Sequence, residues 1–188
     1  KMIIVKRLQN AEDFAVYHAS NGAGTYQSLN TTEAKQTNAN RFNVAPTSSV
    51  FTVNTHESVN FAENYIAYCF AEKQGFSKFS SYTGNGNADG TFIYTGFKPA
   101  FVMVKGYAGA DDWIMMDNKR SGYNSENEYL DANNSSAESD GSGNIDFLSN
   151  GFKTRSTFSS LNYSGGTYIY MAFGQTLVGT NGITNNAR

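Results

Sequence analysis

Phe101-Val-Met-Val-Lys105, followed by Asp111-Asp-Trp-Ile-Met-Met-Asp117, is the stretch that decides the fold. The same pattern occurs near the N-terminus, where Met2-Ile-Ile-Val-Lys6 is followed by Asp13-Phe-Ala-Val-Tyr-His18. A short apolar run of this length is typical of a buried strand. A pattern that recurs in this way indicates an internal repeat, so the chain is predicted to contain two copies of one β-rich unit.

Further landmarks repeat in the same order. Tyr168-Ile-Tyr-Met-Ala-Phe173 matches Tyr65-Ile-Ala-Tyr-Cys-Phe70, and Gly151-Phe-Lys-Thr154 matches Val50-Phe-Thr-Val53, which we predict to be a strand. These matches predict a first copy over residues 1–75, a second copy over residues 76–175 and a C-terminal tail over residues 176–188.

The two predicted copies differ at their beginnings. The second copy opens with two strand-like runs, residues 76–82 and 91–95, which have no counterpart before Met2. The segment from Lys1 is therefore expected to be excised from a longer protein. Because an unpaired strand edge favours pairing with another chain, we expect an open sheet edge in the first copy that a neighbour fills.

Composition predicts the fold class. Aromatic residues make up 14% of the 188 residues, and 18 glycines and many Asn, Ser and Thr residues separate the apolar runs. Short strands joined by polar turns, without long helical periodicity, are typical of antiparallel β-sandwiches. We predict an all-β, tandem duplicated sandwich of the jelly-roll or lectin-like type with little helix, or one composite sandwich built from both copies.

Charge and cysteine content exclude several classes of function. The net charge is −2 without a basic patch, which argues against nucleic-acid binding. The apolar runs are far too short for membrane insertion. The single cysteine, Cys69, excludes an internal disulfide and is predicted to be a small buried hydrophobic residue.

Four residues are predicted to contact a ligand. Tyr107 and Tyr123 lie in loop-like segments, and tyrosine combines an apolar ring with a polar group that suits binding surfaces. Asp111 and Asp112 are adjacent carboxylates in a turn, although the match of Asp112 with Asp13 favours a structural role. Trp113 replaces Phe14 of the first copy and is predicted to pack in the core.

A calcium loop is a second candidate site. Asp140, Asn144 and Asp146 place side-chain oxygens along a Gly-rich loop, as calcium ligands require. The loop lacks the closing glutamate of an EF-hand, and the matching loop of the first copy has no carboxylate, so a plain polar loop is the alternative. No other cofactor is predicted.

Seven stretches of the chain resemble a repeated β-rich domain at the C-terminal end of tailed-bacteriophage virion proteins, especially marine and cyanobacterial ones. These stretches are Met2–Arg7, Ala45–Ser48, Tyr65–Glu72, Ser81–Gly86, Tyr94–Ala100, Asp146–Lys153 and Gly165–Phe173. The resemblance implies a structural or adhesive part of a phage particle with no defined activity. It brings no catalytic residues.

The expected function is therefore that of a virion structural protein on the particle surface, in a fibre, a tail appendage or a capsid decoration. It would act in assembly or host attachment, with other virion subunits as partners and homo-oligomers expected. The alternative is a lectin-like module that binds host-surface glycans. An enzyme is not expected, because no paired-carboxylate motif for glycoside hydrolysis is recognisable.

Overall fold

The computed structural model describes residues 1–141 and 143–175, and the predicted tail over residues 176–188 lies outside this range. The described residues form short strands and one helical turn. In chain order they are β1 (Met2–Arg7), β2 (Ala15–His18), β3 (Thr25–Ser28), β4 (Gln36–Thr37), β5 (Tyr65–Phe70), β6 (Ser77–Thr83), β7 (Phe92–Tyr94), β8 (Pro99–Gly106), β9 (Ile114–Asp117), β10 (Leu130–Asp131), β11 (Ile145–Leu148), β12 (Gly151–Thr154), α1 (Ser159–Asn162) and β13 (Thr167–Gly174).

The strands form three antiparallel sheets. Sheet one has the order β4-β3-β2-β1-β5, sheet two has the order β10-β9-β8-β13-β6, and sheet three has the order β11-β12-β7. The prediction of an all-β antiparallel protein with little helix is confirmed. Within the described residues no helix is long and apolar enough to cross a membrane.

The sheets are stacked in layers because alternate side chains of a strand point to opposite faces. Met2 and Ile4 of sheet one pack against Met103 and Ile169 of sheet two and against Trp113, which precedes β9. The other face of sheet two is covered by sheet three, and the other face of sheet one by irregular chain between β4 and β5. Sheet two is therefore the central layer, buried on both faces.

The central strands of sheets one and two pair in the same register. β1 lies between β2 and β5, and β8 lies between β9 and β13. The matching pairs are Met2↔His18 with Phe101↔Asp117, and Met2↔Phe70 with Phe101↔Phe173.

The strand predicted over residues 50–53 is wrong, because these residues are irregular. Their counterpart β12 lies between β11 and β7. In the first half, the turn before these residues is closed by the Thr47 N–H, which donates to Val50 O at 2.9 Å. The counterpart of β7 is missing from the described part of the first half. Without that partner the apolar pattern does not form a ladder.

The prediction that Cys69 is buried is also wrong, because Cys69 is exposed on β5. Its counterpart by register, Ala172 of β13, is fully buried. The difference follows from the neighbours of the two strands: β13 pairs with β6 on its outer edge, whereas β5 ends its sheet in the described chain.

Candidate functional site

A buried lysine holds the turn between β8 and β9. The Nζ of Lys105 donates to Asp111 O at 2.5 Å and to Thr32 O at 2.9 Å, and burial lowers the pKa of Lys105 to about 8. In the first half, Lys6 donates to Glu12 O at 2.7 Å in the same way. Lys105 therefore fixes the backbone from which the Asp111 side chain extends.

Asp112 is engaged in a structural clamp. Its carboxylate accepts a hydrogen bond from Asn133 Nδ2 at 2.8 Å, and Asn133 Oδ1 accepts the backbone N–H of Trp113 at 2.7 Å. In the first half, Asn30 Nδ2 donates to Asp13 Oδ1 at 2.7 Å. The structure thus ties Asp112 to the chain after β10, and Asp112 does not line the cleft described below.

Trp113 lies in the core, as predicted. It is 1% exposed, and its indole Nε1–H donates to Ser28 O at 2.9 Å. Because Ser28 belongs to sheet one and Trp113 precedes β9 of sheet two, this bond ties the two large sheets together.

An open cleft of about 280 Å³ lies where the turn after β8 meets the chain around α1 and the start of β13. Its lining includes Tyr107, Asp111, Ser159, Tyr163 and Tyr168. The structure therefore brings together two of the predicted ligand residues, Tyr107 and Asp111. Asp111 supplies the one carboxylate among the described residues that line the cleft.

Two glycines make room for this carboxylate. A Cβ atom added at Gly106 would lie 2.3 Å from Asp111 Oδ2, and one added at Gly109 would lie 2.6 Å from the same oxygen. Larger residues at these positions would push the carboxylate out of its place. On the other side, Ser160 Oγ lies 3.5 Å from Asp111 Oδ1.

The aromatic walls of the cleft differ in their freedom. Tyr163 is 65% exposed. The Tyr107 hydroxyl donates to Ser20 O at 2.9 Å, and Lys35 Nζ lies 4.4 Å from its ring centroid, so one side of that ring is occupied. Burial raises the pKa of both Tyr107 and Tyr168, which keeps these phenols neutral. Tyr163 is thus the aromatic surface most available for stacking.

Tyr123 lies elsewhere. It is 78% exposed in the loop between β9 and β10 and is not part of the cleft lining. Tyr168 was not predicted as a site residue, because it lies in a strand. The sequence also does not indicate that α1 places Tyr163 at the cleft.

The predicted calcium ligands are placed separately. Asp146 lies in β11 and accepts a hydrogen bond from Arg155 Nε at 2.6 Å, whereas Asp140 is exposed. Asn144 Oδ1 is buried without a hydrogen-bond partner among the described atoms. Across residues 1–141 and 143–175, no group of three or more His, Cys, Asp or Glu side chains could hold a metal ion. Calcium binding stays a prediction.

Comparison with known proteins identifies a family. The model of a family described as "Domain of unknown function (DUF7483)" matches residues 1–176. No curated protein matches the chain, and no solved structure matches it.

Proposed function

Because the chain belongs to the DUF7483 family of domains of unknown function, we propose its function from its surface: it is a structural module that joins protein subunits. The outer edge of β5 is the contact surface. We further propose that residues 1–75 and 76–175 are duplicated units of sandwich type and that the first unit is completed by a neighbouring subunit.

The carrying observation is the exposed apolar edge of β5. Ile66 is 39% exposed and Tyr68 is 46% exposed, and Ala67 and Cys69 between and beside them are exposed as well. Edge strands of folded proteins are usually protected by charges, proline or a covering element. An edge that combines free backbone groups with apolar side chains favours association with another chain.

The setting proposed for this module is the surface of a bacteriophage particle, in a fibre, a tail appendage or a capsid decoration. The sequence resemblance supports this setting. Repetition of the module on one particle would multiply weak contacts with neighbours or with a host surface. We propose no catalytic function, because Asp112 is bonded to Asn133 and Asp117 is paired with Arg120 at 2.9 Å.

Cryo-electron microscopy of native particles that carry the full-length protein tests this proposal. We expect the chain in the particle, with a neighbouring polypeptide packed against β5. A particle in which β5 faces solvent, or particles without the protein, would contradict it.

Glycan binding is a second candidate function, favoured by the cleft that joins Tyr163 with Asp111. An exposed tyrosine ring stacks on the apolar face of a sugar, while a carboxylate accepts hydrogen bonds from its hydroxyls. A glycan array with and without calcium tests both this function and the predicted calcium loop. Binding that is lost in Tyr163→Ala but kept in Tyr123→Ala would support the cleft. Binding unaffected by Tyr163→Ala would exclude it.

A further inference from the structure

The outer edge of β5 has an internal counterpart, the outer edge of β13, which is paired with another strand. β5 and β13 occupy matching positions, since each pairs with the central strand of its sheet in the same register. On its other edge β13 pairs with β6 over seven residue pairs, from Thr167↔Thr83 to Phe173↔Ser77. No strand pairs with that edge of β5 within the part of the chain that the structure describes.

β6 is suited to end a sheet. Its two aromatic side chains, Phe79 and Tyr82, are buried, and the rest of the strand is Ser, Lys or Thr. Because a strand edge with polar and charged side chains resists pairing with other chains, β6 gives sheet two a protected border. Sheet one ends instead on the apolar strand β5.

A second partner is missing at the same place. In the second half, β7 follows β6 by a short loop and pairs with β12. In the first half the counterpart of β12, residues 50–53, is irregular, and Val50 is 62% exposed. A single strand–loop–strand segment would therefore complete both sites.

We propose that β5 binds, by antiparallel strand addition, an extended segment of another polypeptide chain that has the pattern of residues 77–94. This inference rests on the proposed assembly function and names the partner. The first strand of the segment lies along β5, and its second strand pairs with residues 50–53. Backbone hydrogen bonds supply the affinity and alternate side chains the specificity, as in other cases of strand addition.

The register follows from the ladder between β13 and β6. Met171 faces Phe79 and Ala172 faces Lys78 in that ladder. By the match of β5 with β13, Tyr68 faces the phenylalanine of the incoming segment and Cys69 faces its lysine. An aromatic pair directly across two strands contributes to their stability, and the exposed side chains of Tyr68 and Cys69 become covered.

Cys69 is a direct probe of this contact because it is the single cysteine of the chain and is exposed. The probe ligand is a synthetic peptide of residues 77–95. In the monomeric full chain we expect rapid modification of Cys69 by a thiol reagent. Saturating peptide should slow that reaction about tenfold or more, because pairing buries the strand edge. A scrambled peptide of the same composition should not slow it.

Disulfide exchange tests the register. Two peptides, Lys78→Cys and Ser80→Cys, carry the cysteine as a mixed disulfide with a coloured leaving thiolate, which Cys69 releases on exchange. Directly opposite residues have Cβ atoms ~5 Å apart and diagonal ones lie farther away, whereas a disulfide needs ~4 Å. The Lys78→Cys peptide should therefore react at least about tenfold faster.

Matched variants distinguish peptide binding at the β5 edge from nonspecific binding to the protein. Tyr68→Lys adds a charge to β5 and should abolish the protection of Cys69 by the peptide. Tyr94→Lys makes the same change on β7, where Tyr94 is 64% exposed, and should leave it intact. Circular dichroism checks that both variants keep the fold.

Several results would overturn the inference. Cys69 protected in the free monomer would mean that another part of the chain covers β5. Protection that grows with protein concentration alone would assign the edge to a second copy of this chain. Equal reaction of both cysteine peptides, or no effect of the peptide, would also contradict it. If particles show β5 covered by a different element, this inference fails while the assembly function stands.

Discussion

His18 makes the stability of the fold depend on pH. It belongs to β2, its side chain lies between the two large sheets, and it is 1% exposed. Its Nδ1 accepts the backbone N–H of Ser20 at 3.2 Å, so the neutral ring carries its proton on Nε2, which donates to Tyr170 O at 3.2 Å. A second proton would have to enter at Nδ1, against the N–H of Ser20. Burial lowers the pKa of His18 to about 4.

The magnitude follows from linkage. Unfolded His18 takes up a proton below pH 6.5, whereas folded His18 does so only near pH 4, so the unfolded state binds more protons between these values. The contribution of neutral His18 to the free energy of unfolding is therefore fully present above pH 6.5 and decreases as the pH falls toward 4. At pH 4.5 the loss due to this histidine is about 2–3 kcal/mol.

Urea unfolding followed by the fluorescence of Trp113 measures the effect at intervals from pH 7.5 to 4.5. We expect the free energy of unfolding of the wild type to fall about 2–3 kcal/mol more than that of His18→Gln over this range. Carboxylate contributions are common to both proteins and cancel in the difference. His56→Gln is the matched control, because His56 is much less buried and should keep most of the wild-type slope.

The reasoning would be refuted if wild type and His18→Gln lost the same free energy between pH 7.5 and 4.5. It would also be refuted if His56→Gln, and not His18→Gln, removed the slope. Equal dependence of the unfolding free energy on urea concentration in all three proteins is needed for the comparison.

Three further substitutions test the packing. Lys105→Met leaves the part-buried carbonyl groups of Thr32 and Asp111 without this donor and should lower the free energy of unfolding in urea by about 2–4 kcal/mol, whereas Lys6→Met at the more exposed matching position should lower it by about 1 kcal/mol or less. Trp113→Phe removes the hydrogen bond between the large sheets and should cost about 2–3 kcal/mol by circular dichroism; an unchanged midpoint would contradict that role. Gly151→Ala places a Cβ 2.1 Å from a carbonyl oxygen of the paired strand and should lower the melting temperature, whereas Gly141→Ala, with open space around it, should not.

The strongest strands could be predicted because their apolar runs are buried from both sides. β8 and β13 lie in the central layer, and their sequences are apolar almost throughout. The pattern alone could not show whether a neighbour is present. Residues 50–53 and Cys69 have the pattern of paired, covered strands, yet the described first half lacks the strands that would pair with them.

The candidate site was only partly visible in the sequence. Tyr107 and Asp111 could be selected because they follow the strand β8 in a turn. The role of Asp112 depends on Asn133, which is distant in sequence, although the parallel pair Asp13 and Asn30 in the first half is a signal that repeat comparison offers. Nothing in the sequence places the segment around α1 opposite that turn.

The layer order of the molecule implies a gradient of local stability. Amide hydrogens of β8 and β13 lie under two covering layers and between paired strands, so they open only with the whole domain. Amide hydrogens of β5 on the side away from β1 are open to water, and fraying from that strand is the least costly opening of sheet one. Local opening of sheet one therefore begins at β5, the strand that is proposed to bind a partner, and binding of that partner would suppress this opening first.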